Sequence, residues 1–530
     1  MSALATLQEA AASIPDGALL TFGGFDLNRA PMALVMELIR QRRRALRVVS
    51  LPNPLPLDLL VGAGAATEAE FGFLGLQYEG GFVVAPSVRH AIERGRLAWR
   101  ERDVYEIVQG LRASALGLPF LPAPGAEGSE YRSVNRTPTT PDPEGGEEML
   151  IARALRPDVA LVHAQAADGR GNLWISDLYA DDLLARASAR VVATAERIVD
   201  HVEAPTIPGR LVDRVAHVEK GAFPTSCHGH HPLAAPHLAA YLSSASEDRV
   251  GDYVERFVIG PGGHPAFLQA AASGPAPAAP RTAPAAAVPG REGRVDRLVV
   301  GMARSIGNGE VVTTGLASAL PMIAVALAKA THAPRATYIN CVGAIDPRIT
   351  AASFTSVDVR LLDDCEGRVT LPELFDLARQ GRIDLMFFGA AQIDPEGRLN
   401  LTCIGDYASP KVKLPGPAGS SSMRPFVRKA VLFVPRHSPR TFVPRVDFAT
   451  SVASARNLAT EVVSDLATLR LAGGRLRLVA RHAGVSLDEV RKNTGFPLEG
   501  DPRATTPEPT AGELEALRRL DPAGIRHRLV

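Results

Sequence analysis

Two stretches of the chain repeat one pattern of polar and apolar positions. Asp16-Gly17-Ala18-Leu19-Leu20-Thr21-Phe22-Gly23 and Asn308-Gly309-Glu310-Val311-Val312-Thr313-Thr314-Gly315 each read as a turn, a short apolar run and a glycine, before a proline-containing apolar helix. The turn residues accept unusual backbone angles, the β-rich run suits a covered strand, and the glycine lets another group approach where the helix begins. Similar apolar runs predict buried strands at Ala45–Leu51, Val159–His163, Leu298–Met302, Ala336–Cys341, Leu385–Gly389 and Lys429–Val434. Helical spacing falls at Met32–Arg42 and Val104–Leu116. Strands alternating with helices imply an α/β fold of two related halves, each a largely parallel sheet covered by helices on both faces.

The Pro/Ala-rich tract AASGPAPAAPRTAPAAAVPG, from Ala271 to Gly290, lacks periodic apolar positions and predicts an extended tether. The expected organisation is a domain over 1–270, a linker over 271–294 and a second domain over 295–530. At 530 residues the chain exceeds one ordinary core. Pro119–Glu148 is loop-like in composition and predicts an insertion or lid; Leu478–Leu520 reads as a small appended unit.

Charge excludes some functions. Lys and Arg number 58 against 57 Asp and Glu, so no net field favours nucleic acid or a membrane surface. No run of 18 apolar residues occurs, and the first fifteen residues carry no signal-peptide pattern. Cys227, Cys341, Cys365 and Cys403 have no CxxC spacing, which points to reduced thiols and a cytoplasmic protein. Cys227, His228, His230 and His231 crowd one segment, but their spacing matches no usual zinc pattern, so no metal is expected.

Particular residues add a family. Asp16-Gly17, the apolar strand, Gly23-Gly24-Phe25 and Pro31 resemble the signature of the alpha subunit of family I CoA-transferases. The resemblance continues through GLRASALGLPFLP (Gly110–Pro122), RPDVALVHAQAADGRGN (Arg156–Asn172) and GAFPTSCHG (Gly221–Gly229). FGAAQIDPEGRLNLTCIGDY (Phe388–Tyr407), KVKLPGPAG (Lys411–Gly419) and KNTGFPLE (Lys492–Glu499) resemble the beta subunit of the glutaconate CoA-transferase branch. The chain therefore looks like an alpha–beta fusion of two CoA-transferase-type domains.

The resemblance implies acyl-CoA chemistry between the halves, with coenzyme A as part of the substrate and no permanently bound cofactor. Family members transfer CoA to a carboxylic acid acceptor through a beta-half glutamate, by way of an anhydride and an enzyme–CoA thioester. Aligned on Pro334 and on Gly343, this chain places Cys341 at that glutamate's position, in Asn340-Cys341-Val342-Gly343. A thiolate could accept an acyl group by thioester exchange but cannot form the anhydride. Cys341 is then a small buried filler, an acyl-accepting nucleophile, or part of a site that only binds acyl-CoA. Fused halves can complete a site without a second chain, and a homo-oligomer stays compatible with the sequence.

A non-transferase branch resembles the alpha half and hydrolyses a ring C–C bond in a cyclic keto acyl-CoA, using an alpha-half carboxylate. Asp103-Val104-Tyr105-Glu106 precedes the matching LPFLP element, so Glu106 is the candidate base; alternatively it is a solvent-facing first-turn residue. The resemblance assigns the thioester and pantetheine cradle to Gly23, Gly24, Phe25, Gly343, Gly389, Gln392, Asp394, Gly416 and Gly419. Arg29 stands where the alpha signature has glycine; it narrows the cleft or clamps a substrate carboxylate or CoA phosphate. Asn340 is the second candidate for substrate contact.

Overall fold

The structure is a computed structural model that describes residues 3–126, 128–142, 145, 148–177, 179–273, 291–500 and 503–530. Two large sheets organise it. In the first, seven parallel strands lie in the order Val212–His217, Arg190–Val199, Val159–Asp168, Leu19–Phe22, Leu46–Ser50, Ala66–Phe71 and Ala98–Glu101. The chain starts in the middle, at Leu19–Phe22, builds outward to one edge, then returns to build the other. Ligands in such sheets bind where this direction reverses, beyond the carboxyl ends of the strands. Gly23-Gly24-Phe25 leaves the sheet at that reversal.

The second sheet repeats the device. Val311–Thr314 sits between Thr337–Ile339 and Leu385–Gly389, with Lys429–Val434 and Ala459–Ser464 continuing in parallel. Antiparallel strands Ala467–Ala472 and Arg475–Arg481 extend one side. Gly315, Cys341 and Gly389 all stand at or just beyond carboxyl ends of central strands.

Several expectations change. Leu298–Met302 lies inside the helix Arg291–Arg304, because five apolar residues serve a buried helix face as well as a strand. The strand begun at Val159 runs to Asp168: His163, Gln165 and Asp168 interrupt the apolar run but are buried and hydrogen-bonded. Leu478–Leu520 is not appended. Its strand completes the second sheet, and helix Ala511–Leu520 packs on helix Ala319–Ala330 with Leu517 fully buried. Pro119–Glu148 carries strands Phe120–Pro122 and Thr139–Thr140, both paired with Met149–Arg153. Of the expected tether, 271–273 close one helix and 291–294 open another; residues 274–290 lie outside the described residues. Among the described residues no helix is long and apolar enough to cross a membrane.

The two halves meet through charge as well as apolar packing. Lys413 Nζ lies 2.6 Å from Glu101 Oε1, and both side chains are wholly buried. The same ammonium donates to the carbonyls of Thr402 and Leu414, while Tyr131 donates its hydroxyl to Glu101 at 2.7 Å. Backbone bonds from Leu74 N–H to Pro415, Ala418 N–H to Gly72 and Val104 N–H to Ala418 run beside this pair. Removing one partner of such a pair leaves an uncompensated buried charge. Lys413→Met should therefore cost about 3–5 kcal/mol in chemical denaturation, and adding Glu101→Gln should recover much of the loss. Full stability in the single variant would contradict this account.

Candidate active site

The carboxyl ends of the two sheets face one another across a cavity of about 380 Å³. Phe25, Pro52, Phe73, Gln77 and Val104 line it from the first half. The segment Thr313–Ser318, Cys341, Gly389, Gly416, Gly419 and Phe433 line it from the second. Among the described lining residues there is no Asp, Glu, Lys, Arg or His. The wall is therefore apolar side chain, backbone, hydroxyl, one amide and one thiol.

Cys341 is 5% exposed. Its thiol donates to the carbonyls of Gly315 and Ser356, each at 3.6 Å. Burial pushes it up to about 12, with the nearby Asp26 carboxyl adding to the shift, so it is a neutral thiol at physiological pH.

Asp26 was not expected from the sequence. It follows Phe25 in a left-handed conformation, φ 51°, and donates its backbone N–H to the Pro52 carbonyl at 2.7 Å. Its side chain is buried, Oδ1 has no hydrogen-bond partner, and burial raises its carboxyl well above the usual range. Phe25 and Pro52, to which it is tied, both line the cavity. Its position among apolar residues is a tertiary fact; a polar residue after a glycine turn is ordinary in sequence.

The family description "Coenzyme A transferase" matches residues 4–217 and 295–493. The chain belongs to the coenzyme A transferase family. Relatives differ in their named reactions. The chain is 34% identical over 242 residues to one of the two chains of the 3-oxoadipate CoA-transferase of Pseudomonas knackmussii, covering 43% of this chain and 92% of that one. It is 36% identical over 234 residues to the cholesterol ring-cleaving hydrolase IpdA subunit of Rhodococcus jostii, covering 41% and 78% respectively. A solved structure of the decarboxylase AibA/AibB is 47% identical, covers 48% of this chain and 98% of its own, and superposes with a TM-score of 0.47.

Of the positions assigned by resemblance to this coenzyme A transferase fold, Phe25, Cys341, Gly389, Gly416 and Gly419 line the cavity. Gly416 has φ +99°, and an added Cβ would stand 2.5 Å from Glu101 Oε1, so the loop can cross the buried ion pair only without a side chain. The others do not line the cavity. Gly23 packs against Asp181, Gly24 donates its N–H to Asp181 Oδ1, and Gly343 turns beneath the carbonyl of Val369. Gln392 is spent on Asp447 and Asn400, and Asp394 on Arg398 and its own loop.

Arg29 points into the first half rather than into the cavity. It is completely buried, pairs with Asp177 and Asp181 at 2.7 Å each, and donates to the carbonyl of His163. Asn340 likewise spends its amide on Tyr338, Ser356 and the Val342 N–H. Glu106 is 4% exposed, not solvent-facing, and pairs with Arg102 at 2.7 Å. Burial raises its carboxyl while Arg102 opposes the shift, and it does not reach the cavity wall.

Because only the thiolate alkylates, iodoacetamide at pH 8 should mark the half-buried Cys365 and spare Cys341 in the native protein. The rate at Cys341 should then climb about tenfold per pH unit through pH 10. Peptide mass spectrometry reads both, and rapid labelling of Cys341 at neutral pH would refute its neutral state.

Proposed function

We propose that this chain cleaves a bond within the acyl group of a carboxylated acyl-CoA and does not pass CoA to an acceptor. One observation carries this reading: the described cavity wall offers a neutral thiol and no carboxylate, so it has no group that can form an acyl anhydride. Apolar walls such as Phe25, Phe73 and Phe433 instead receive the acyl chain.

Hydrolytic C–C cleavage is the leading form, and the relationship to a ring-cleaving hydrolase subunit supports it. Water adds to the acyl keto carbon, the adjacent C–C bond breaks, and its electron pair remains on the departing carbon. Asp26, tied to Phe25 and Pro52 just behind the wall and with its carboxyl raised by burial, would give that carbon a proton and recover one from the attacking water. A second form is favoured by the uncharged wall. Loss of CO₂ from a substrate carboxylate gains from removal of water around that charge, and its carbanion needs the same proton.

Incubation with carboxylated acyl-CoAs should consume substrate without any acceptor acid. Incorporation of ¹⁸O from water identifies hydrolysis, and released CO₂ identifies decarboxylation. No borohydride-sensitive enzyme–CoA adduct should form in the wild type. Acceptor-dependent exchange with CoA bound to the protein would overturn the proposal. Asp26→Asn should lower turnover about 10²- to 10⁴-fold, the usual range for loss of a general acid, with the fold intact by circular dichroism. Cys341→Ala should retain most of the activity.

A further inference from the structure

A second buried cluster lies on the first sheet, outside the cavity wall. His163 pairs in register with Thr194 on the neighbouring strand, and Glu196 lies two residues beyond Thr194 on the same face. The loop after strand Val212–His217 brings Cys227 over this face. One ligand-capable atom from each of His163, Glu196 and Cys227 lies within 4.8 Å of the others, and all three residues are buried. His231 stands beside this cluster, on its Glu196 side: its Nε2 is 3.4 Å from Glu196 Oε1, and its side chain is 8% exposed. That nitrogen has no well-aligned hydrogen-bond partner.

We propose that His163, Glu196 and Cys227 bind one zinc-class divalent cation, with His231, beside Glu196, turning in as the fourth ligand. Two imidazoles, a thiolate and a carboxylate form a donor set that zinc accepts in tetrahedral geometry. Magnesium and calcium prefer all-oxygen sites. The charges balance: a thiolate and a carboxylate neutralise the dication, so the buried site carries no net charge. The thiol proton leaves for solvent when the metal–sulfur bond forms.

The surroundings fit coordination. His163 Nδ1 lies 2.8 Å from the Thr194 hydroxyl, and His231 Nδ1 lies 3.3 Å from the carbonyl of Pro232. Each ring can thus donate through Nδ1; His163 Nε2 and Glu196 Oε1 now lie 3.0 Å apart, a contact that an ion bound between them would replace. Glu196 Oε2 accepts the Lys220 N–H at 2.8 Å, which orients the carboxylate. Such outer hydrogen bonds select the tautomer and set the direction of ligands. In the linear sequence only Cys227 and His231 are neighbours; His163 and Glu196 arrive from separate strands.

Bound metal would tie the loop that carries Ser226 to the sheet. The Ser226 carbonyl accepts the Arg29 backbone N–H at 2.6 Å, and the Arg29 side chain also holds the His163 carbonyl. The ion would therefore stiffen the turn that presents Phe25, while touching no substrate.

The test uses the full chain, stripped with chelator and dialysed against Zn²⁺. Elemental analysis should find one zinc per chain, and Co²⁺ in its place should show a thiolate-to-cobalt charge-transfer band. Cys227→Ser should abolish that band and weaken Zn²⁺ binding by more than about tenfold, whereas Cys365→Ser should leave both unchanged. His231→Gln supplies the same comparison should Cys227→Ser fail to fold. Substoichiometric zinc in the wild type, or unchanged affinity in the folded Cys227 or His231 variant, would overturn the proposal.

Discussion

The buried ion pair between Lys413 and Glu101 is the constraint on which the cavity depends. It joins the end of the first sheet's edge strand to a loop of the second half, at a place with no exposed side-chain surface on either partner. Such a pair is costly to desolvate, and its value lies in what it specifies. The ammonium must meet Glu101 and the carbonyls of Thr402 and Leu414 together, so the Pro415–Gly416 loop has one seat. Trp99 and Phe71 place their rings 5.7 Å from the same nitrogen and close the seam with apolar surface. The cavity wall begins at the next residue of that loop.

A second buried cation holds the opposite wall. Arg29 gathers Asp177, Asp181 and the His163 carbonyl, and Asp181 in turn binds the Gly24 N–H. The glycine turn is thereby held rigid from behind, and Phe25 is presented to the cavity. Both charged nodes are outside the chemistry, and both leave the cavity itself without charge. An uncharged wall suits reactions in which the substrate's own carboxylate or carbonyl carries the charge. It gives no support to a covalent cycle through an enzyme carboxylate, and the neutral Cys341 thiol agrees with that.

Much of the fold was legible in the residues. Leu385–Gly389 and Lys429–Val434 form strands with the bounds their apolar runs predicted, and the two strand–glycine turns sit at the reversals of the two sheets. Local chemistry decides these features. The misreadings share one cause: a short apolar run states that a segment is buried, not what covers it. Leu298–Met302 became helix on that account. His163, Gln165 and Asp168 concealed half a strand, since their polar atoms are satisfied by residues 11 to 33 positions away or by a local turn.

The site was legible only in part. By itself the sequence determined that the chain is an α/β coenzyme A transferase relative, that glycines stand at both strand ends, and that a cysteine, Cys341, stands beside Gly343. These are properties of residue identity and local spacing. Only the tertiary structure decided which polar groups are free to act. Arg29, Asn340, Gln392 and Asp394 resemble ligand contacts along the chain, yet each is hydrogen-bonded within the protein, Asp394 by its own loop and Arg29 by Asp177 and Asp181 from a distant segment. Asp26 is inconspicuous along the chain, yet folding leaves one of its oxygens without a partner. The availability of a polar atom depends on what lies within hydrogen-bond reach, and that distance is set across the fold rather than along the sequence.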